Sequence, residues 1–132
     1  MFAAFRTKSL GLAAVALAAG GLWPALAGAS ELLMFEREGC VWCQRWDREI
    51  APIYNKTDEA KLLPLRRIDV ERERATGIAL AAPVRYTPTF VVVDNGREIG
   101  RITGYINDES FWGLLGALAA KLHPVPREPS RI

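Results

Sequence analysis

The two cysteines of this sequence, Cys40 and Cys43, constrain its fold and chemistry more than any other feature. A short apolar run at residues 32–35 precedes them, and a segment with apolar residues at helical spacing follows. This order predicts a strand that leads into a helix whose first turn carries both sulfur atoms. Amide groups at a helix N-terminus carry partial positive charge, so they stabilise a thiolate relative to a thiol.

The same placement predicts different roles for the two thiols. Cys40 is expected at the exposed start of the helix, and Cys43 lies about one turn further in, where it is more shielded. The thiolate is the nucleophile of disulfide exchange. We therefore expect Cys40 to attack a substrate and Cys43 to resolve the mixed disulfide.

The first 29 residues differ from the rest of the chain. The 132 residues are enough for one domain. Residues 1–29 contain Arg6 and Lys8 but no acid, then an apolar run, and they end in small residues. This layout is typical of a cleaved secretory signal peptide, and an uncleaved N-terminal anchor is the alternative. Both interpretations predict that the remaining chain works outside the cytoplasm.

The charge balance bears on the kind of partner. Two of the 17 basic residues belong to residues 1–29, so the remaining chain has as many basic as acidic residues, 15 of each. The basic character of the whole sequence therefore belongs to its N-terminal segment. Nothing in the charge pattern favours nucleic acid or anionic lipid as a partner.

The cysteine pair has several possible uses, and its spacing favours redox chemistry. A bridge across two intervening residues closes a very small loop, which stabilises a fold less than a long loop does. A structural zinc site normally needs four ligands, and Gln44 occupies the position where covalent haem attachment requires histidine. Two alternatives remain: a copper(I) carrier that uses both thiolates, and a non-enzymatic binding module in which the pair is a staple.

Hydrophobic periodicity and turn residues predict seven elements, in the order β-α-β-α-β-β-α. This order indicates an α/β fold with a small mixed sheet and helices on both faces. Pro52 should bend or end the first helix, and Asp94-Asn95-Gly96 should form a hairpin turn. The last helix should start at Asn107 or Asp108 and bury one face, and residues 123–132 should form a proline-rich tail. The predicted strands are 31–36, 65–70, 89–93 and 97–103, and the other predicted helices are 43–54 and 71–82. The predicted buried face of the last helix comprises Phe111, Leu114, Leu115, Leu118 and Leu122.

The chain resembles the thioredoxin family over about residues 31–122. The resemblance rests on the Cys-x-x-Cys at a strand-to-helix junction, on Tyr86-Thr87-Pro88-Thr89-Phe90 opening a buried strand, and on the hairpin and final helix. It implies a thioredoxin fold for residues 30–122, with a cis proline at Pro88 facing the cysteines. A substrate segment would then add to the backbone of Thr87 like an extra strand, with Trp42 and Tyr86 as contacts.

Two positions depart from the usual thioredoxin pattern. Val41 and Trp42 lie between the cysteines, where ordinary thioredoxins have Gly-Pro, and this dipeptide tunes the reduction potential. Met34 occupies the position of a buried carboxylate that assists proton transfer at the second cysteine in many thioredoxins. The sequence therefore predicts that this proton route is absent.

Residues 33–43 and 85–90 are similar to small periplasmic, SoxS-type thioredoxins of bacterial sulfur-oxidation operons. The resemblance implies a periplasmic thiol–disulfide oxidoreductase that reduces a disulfide or sulfur adduct on a partner protein, such as a sulfur carrier. The cysteine pair itself holds the electrons, so no cofactor or metal is expected. An exported reductase would stay oxidised without an electron source, so a membrane electron donor is expected as well. We expect the protein to be a monomer.

Overall fold

The computed structural model describes residues 30–74 and 77–122. The predicted signal peptide and the predicted tail lie outside these residues. No helix in the described part of the chain is long and apolar enough to cross a membrane. The elements in chain order are β1 (Glu31–Glu36), α1 (Val41–Glu49), α2 (Ala51–Tyr54), α3 (Asp58–Leu62), β2 (Leu65–Asp69), β3 (Thr89–Asp94), β4 (Arg97–Thr103) and α4 (Asp108–Ala119).

The four strands form one mixed sheet in the order β2-β1-β3-β4. Strand β2 runs parallel to β1, whereas β3 is antiparallel to both β1 and β4. Thr89 at the start of β3 pairs with Phe35 near the end of β1 and with Thr103 at the end of β4. The segments that follow β1 and β4 therefore meet the segment before β3 at one end of the sheet. This mixed sheet with its helices confirms the predicted thioredoxin fold. The expected helices on both faces are wrong for the described residues, whose helices cover one face only.

The helices bury their apolar sides against one face of the sheet. Trp46 of α1 is fully buried there, with its ring centroid 5.4 Å from that of Phe90 and 5.8 Å from that of Phe111. Phe90 comes from β3 and Phe111 from α4, so this aromatic cluster joins the cysteine-bearing helix to the sheet and to the last helix. Offset and tilted aromatic pairs at these distances add stabilisation beyond that of buried area. The cluster thereby fixes the position of α1.

Several predicted boundaries are confirmed, and others shift by one or two residues. Strand β1 has the predicted bounds, and the hairpin turns at Asn95 and Gly96, whose φ angles are 51° and 73°. Asn107 caps α4 because its side-chain oxygen accepts a hydrogen bond from the amide of Ser110 at 2.8 Å. The first helix starts at Val41 rather than at residue 43 and is interrupted between α1 and α2, as Pro52 in α2 predicts.

The predicted helix over residues 71–82 is wrong for the residues of that range that the structure describes. Gly77 has a φ of 78°, which a right-handed helix excludes, and Ala79 forms an isolated bridge to Arg97 of β4. The apolar residues of this segment instead cover the second face of the sheet, on which no helix of the described residues packs. Their spacing suits an extended chain, in which every second side chain points to the same face. The apolar side chains packed there are those of Ile78, Leu80 and Val84.

The predicted buried face of α4 is wrong at two residues. One of them, Leu122, lies beyond the end of the helix and is half-buried. Phe111, Leu115 and Leu118 are buried, but Leu114 is 50% exposed. The buried residues follow one narrow stripe at spacings of four and three residues, and Leu114 lies beside this stripe. It lines a small surface groove with Tyr105 and Ile106 instead.

Candidate active site

The cysteine pair lies at the start of α1, at the end of the sheet where β1 finishes. Cys40 and Cys43 form a disulfide with their Cα atoms 5.2 Å apart. Cys40 is the N-cap residue of α1, and its Sγ accepts a hydrogen bond from the amide of Cys43 at 3.2 Å. Gly39, with a φ of 74°, allows the sharp turn from the strand into this helix. In the reduced protein, the same amide would stabilise a thiolate on Cys40.

The exposure of Cys40 differs from the prediction. Cys40 is 8% exposed and Cys43 is 3% exposed, so both residues count as buried. The neighbours Gly39 and Val41 are exposed, as expected for a helix start. The Cys40 sulfur is turned back towards the helix amide, and this orientation removes it from the open surface. The expected order is kept, because Cys40 remains the more accessible of the two.

The two cysteines line an open groove of about 400 Å³ whose other walls are charged. Arg67 bridges two of its acids: Nε lies 3.0 Å from Glu36 Oε1, and Nη2 lies 2.7 Å from Asp47 Oδ1. The hydrogen bond with Glu36 is the main reason why the pKa of the Arg67 guanidinium is raised. Arg72 likewise pairs with Glu38 and with Asp69. Arg67 and Arg72, two of the three arginines that line this groove, are therefore compensated by carboxylates.

The region beneath the disulfide is apolar. Met34 is fully buried in the same core cluster as both cysteines. The carboxylates nearest in sequence, Glu36 and Glu38, are instead in ion pairs with arginines that line the groove. The charged groups around the cysteines thus lie along the open groove, while Met34 occupies the interior.

Trp42 belongs to a chain of contacts that crosses from α1 to the loop after β4. The Arg45 guanidinium lies 5.9 Å from the Trp42 ring centroid and 5.8 Å from that of Tyr105. Arg45 Nε also lies 2.8 Å from Glu49 Oε1, and the Tyr105 hydroxyl donates to Glu49 Oε2 at 2.6 Å. The hydrogen bond from Tyr105, followed by that from Arg45, lowers the pKa of the Glu49 carboxyl. Through Arg45 the Trp42 ring is thus connected to Glu49 and Tyr105, although Trp42 itself is 52% exposed.

The segment before β3 lies at the same end of the sheet as the cysteines. The peptide bond between Thr87 and Pro88 is cis, and the Pro88 carbonyl accepts a hydrogen bond from the amide of Gly104 at 2.7 Å. Thr89 Oγ1 donates to the carbonyl of Tyr86 at 2.6 Å. Within the described residues, the N–H and C=O groups of Thr87 make no backbone hydrogen bond. These two groups are therefore not used in the backbone pairing of the described residues.

The predicted substrate contacts line two different grooves. Trp42 lines one with Arg45, Tyr105 and Ile106. Tyr86, which is 69% exposed, and Thr87 line another. The second groove also contains Arg37, which lines the cysteine groove as well, so these two grooves adjoin.

Sequence reasoning missed Arg37, Glu49 and Tyr105 as residues of this region. Glu49 and Tyr105 are 56 positions apart in the chain, so no local pattern relates them. Arg37 directly follows β1, and its position three residues before Cys40 is the one signal that could have identified it.

A family model for the thioredoxin-like domain matches residues 25–119. The chain belongs to this family, and with its Cys40–Cys43 disulfide it is a thiol–disulfide oxidoreductase of the thioredoxin type. In proteins of this family, a redox-active disulfide accepts and donates the electrons. Within residues 30–74 and 77–122, no group of three or more His, Cys, Asp or Glu side chains could hold a metal ion.

Among solved structures, the chain is similar to the reduced form of the periplasmic thioredoxin SoxS from Paracoccus pantotrophus. The two sequences are 42% identical, the match covers 71% of this chain and 99% of SoxS, and the TM-score is 0.68. A thioredoxin-fold protein from Helicobacter pylori (17% identity, 76% and 75% coverage, TM-score 0.55) shares the fold. A mutant thioredoxin from Halobacterium salinarum (22% identity, 70% and 76% coverage, TM-score 0.53) shares it too. None of the curated protein sequences matches this chain.

Proposed function

We propose that this protein is a periplasmic thiol–disulfide reductase that acts on a disulfide or sulfur-modified cysteine of a partner protein. The observation that carries the proposal is the hydrogen bond from the Cys43 amide to Cys40 Sγ at the first turn of α1. This geometry supports a stabilised nucleophilic thiolate on Cys40 in the reduced protein. The 42% identity with a periplasmic thioredoxin and the signal-peptide layout of residues 1–29 support the compartment.

The first step is attack by the Cys40 thiolate on a sulfur atom of the partner's disulfide. A bond forms between Cys40 Sγ and that sulfur, and the partner's own sulfur–sulfur bond breaks. One partner sulfur leaves as a thiolate and takes up a proton from solvent. The partner's segment is held meanwhile by the backbone of Thr87, with Pro88 shaping the loop and Tyr86 and Trp42 in contact with the partner.

In the second step, the Cys43 thiol loses its proton and attacks Cys40 Sγ. The Cys40–Cys43 disulfide forms, and the second partner sulfur leaves as a thiolate. Two electrons have then moved from the dithiol to the partner. Because Met34 supplies no carboxylate beneath the pair, we propose that the Cys43 proton leaves through the charged groove that Cys43 lines beside Asp47.

The proposed cycle closes when a dithiol of a membrane electron donor reduces the Cys40–Cys43 disulfide. The partner that the similarity to SoxS-type thioredoxins suggests is a sulfur carrier of a sulfur-oxidation system. For the mature protein we propose a cleaved signal peptide (1–29), one domain (30–122) and a short tail (123–132), acting as a monomer.

Trapping of the partner tests the residue roles. Cys43→Ser should accumulate a mixed disulfide between Cys40 and a periplasmic partner, because the resolving thiol is missing. Cys40→Ser should form no such adduct and should show no turnover. Non-reducing electrophoresis followed by mass spectrometry measures both results. Full turnover by the Cys40→Ser variant would overturn the assignment.

The equilibrium potential of the Cys40–Cys43 pair tests the direction of the reaction. We expect a value near that of thioredoxin, about −270 mV, in dithiothreitol buffers. A value of about −120 mV would indicate instead that the protein forms disulfides in its partners. A pair that does not titrate reversibly would favour the staple or the copper(I) carrier, and titration of the reduced protein with copper(I) would separate these two.

A further inference from the structure

The groove beside the cis-proline loop contains charges that the proposed mechanism does not use. It has a volume of about 150 Å³, and both Arg37 and Arg85 line it. Neither arginine has an ion-pair partner among residues 30–74 and 77–122. By contrast, Arg67 and Arg72 in the adjoining cysteine groove each pair with two carboxylates. The positive charge of the smaller groove is therefore uncompensated.

The remaining walls of this groove are apolar and partly open to solvent. Val70 is 39% exposed and Tyr86 is exposed, although both are large apolar side chains, and Val84 is half-buried beside them. Arginine and tyrosine are enriched in the parts of protein interfaces that contribute most to binding. The composition of the groove therefore suits contact with another protein.

The groove is also placed to contact a segment whose cysteine is being reduced. Thr87 lines it, and the backbone of Thr87 is free to pair with an extended chain. Arg37 lines both this groove and the one that contains the cysteines. A segment paired with Thr87 thus has side chains within reach of Arg37 and Arg85 while its sulfur lies near Cys40.

We propose that Arg37 and Arg85 select partner segments that carry an acidic side chain close to the cysteine being reduced. Two like charges in one groove repel each other, and a carboxylate between them removes this repulsion while it accepts charged hydrogen bonds. A lysine in the same place adds a third positive charge. The inference rests on the proposed reductase function and specifies its substrate.

Three synthetic peptides test this selectivity. They share one sequence with a central cysteine blocked as its mixed disulfide with 2-mercaptoethanol, and they differ in having Asp, Asn or Lys two positions from that cysteine. The measurement is the second-order rate constant of peptide-thiol release by the reduced full-length mature protein at low salt. We expect the Asp peptide to react roughly three- to ten-fold faster than the Asn peptide, and the Lys peptide to react slowest.

Charge variants assign the effect to the two arginines. Arg37→Gln and Arg85→Gln should each reduce the ratio of the Asp to the Asn rate constant, and Arg85→Glu should make the Lys peptide the preferred one. Arg97→Gln is the matched control, since Arg97 is an exposed arginine at the hairpin end of the sheet, away from the cysteines. Salt at about 0.5 M should weaken the preference in the wild-type protein because it screens exposed charges.

The outcomes separate this inference from the function on which it rests. Equal rate constants for the three peptides, with reduction itself intact, would overturn the charge selectivity and leave the reductase function standing. A selectivity that persists in Arg37→Gln and Arg85→Gln would also overturn it. Failure to reduce any of the three peptides would count against the reductase function and the inference together.

Discussion

At the scale of single residues, the site differs from an ordinary thioredoxin mainly in where its charges lie. Met34 fills the interior beneath the disulfide, and carboxylates of the charged groove are held in place by Arg67 and Arg72. Cys40 depends on a helix amide for stabilisation of its thiolate. The absence of a carboxylate at residue 34 therefore concerns proton transfer at Cys43 and not the stabilisation of the Cys40 thiolate.

A hydrogen bond of Tyr54 gives a prediction at this scale. The buried Tyr54 hydroxyl donates to the carbonyl of Leu63 at 2.7 Å, and burial raises the pKa of this hydroxyl. Tyr54→Phe leaves that buried carbonyl without its donor, so we expect the free energy of unfolding to fall by about 1–3 kcal/mol. Urea denaturation measures it. Tyr86→Phe is the control and should unfold like the wild type, because Tyr86 is exposed.

Some of the residues could be predicted from the sequence, and others could not. The pairing of Cys40 with Cys43 could be predicted from their spacing, and the helix cap at Asn107 from its residue type and position. Tyr105 contacts Glu49 across the fold, and such a contact leaves no periodicity in the sequence. The burial of the Cys40 sulfur depends on its orientation towards the Cys43 amide, which spacing alone does not determine.

At the scale of elements, most of the errors concern the apolar spacing of two segments. Residues 78–84 contain apolar side chains that fit a helix as well as an extended chain, and Gly77 and Pro83 decide against the helix. In the last helix, five apolar residues fit one predicted face, but the buried stripe excludes Leu114, and α4 ends before Leu122. Strand β1 and the hairpin were predictable because apolar and β-branched runs there end at unambiguous turn residues.

The packing of α4 on β4 gives a prediction at the element scale. A Cβ atom added at Gly100 would overlap Leu118 Cδ2 and would lie 3.7 Å from Leu118 Cγ. We therefore expect Gly100→Ala to reduce the free energy of unfolding by about 1–3 kcal/mol through overpacking. The measurement is chemical denaturation followed by circular dichroism.

Gly116→Ala is the matched control for this variant. A Cβ atom at Gly116 meets nothing within 4 Å, and Gly116 lies in the interior of α4. Because alanine is the better helix former, we expect Gly116→Ala to raise the free energy of unfolding by about 0.5–1 kcal/mol. A Gly100→Ala protein as stable as the wild type would show that Leu118 can rotate away without loss of packing.

At the scale of the whole molecule, the loop over residues 78–84 covers the second face of the sheet. The ion pair between Glu98 and Arg101 binds this loop to the sheet. The Glu98 carboxylate accepts hydrogen bonds from Arg101 Nε and from the amide of Ala81, both at 2.7 Å. Arg101 Nη2 in turn donates to the carbonyl of Ala82 at 2.7 Å. Strand β4 thus holds the loop that occupies the place of the predicted helix.

The pKa of Glu98 makes this attachment sensitive to acid. The hydrogen bond from Arg101 is the main cause that lowers the pKa of the Glu98 carboxyl in the folded protein. The ionised Glu98 carboxylate therefore stabilises the folded protein fully at a pH well above the unfolded-state pKa of about 4.3. This stabilisation is lost as the pH falls through the lower pKa of the folded protein.

Glu98→Gln should remove this pH-dependent stabilisation. We expect the variant to lose about 1.5–3 kcal/mol of unfolding free energy at neutral pH, as for hydrogen bonds to charged groups. The difference from the wild type should shrink below about pH 4. Denaturation curves at several pH values measure it, and Glu73→Gln, an exposed acid, is the control. A difference that stays constant with pH would contradict the role of the Glu98 charge.

The two outer strands of the sheet are both unsuited to pairing with another copy of the chain. Strand β2 is five residues long and carries Arg66 and Arg67, and Ala79 already bridges the free side of β4 at Arg97. Short, charged or covered edge strands hinder edge-to-edge hydrogen bonding between the sheets of different molecules. The peptide groups of Thr87, by contrast, remain open. If Thr87 binds a partner segment as proposed, the described part of the chain would pair with a foreign strand there, while its charged and partly covered sheet edges disfavour aggregation with its own copies.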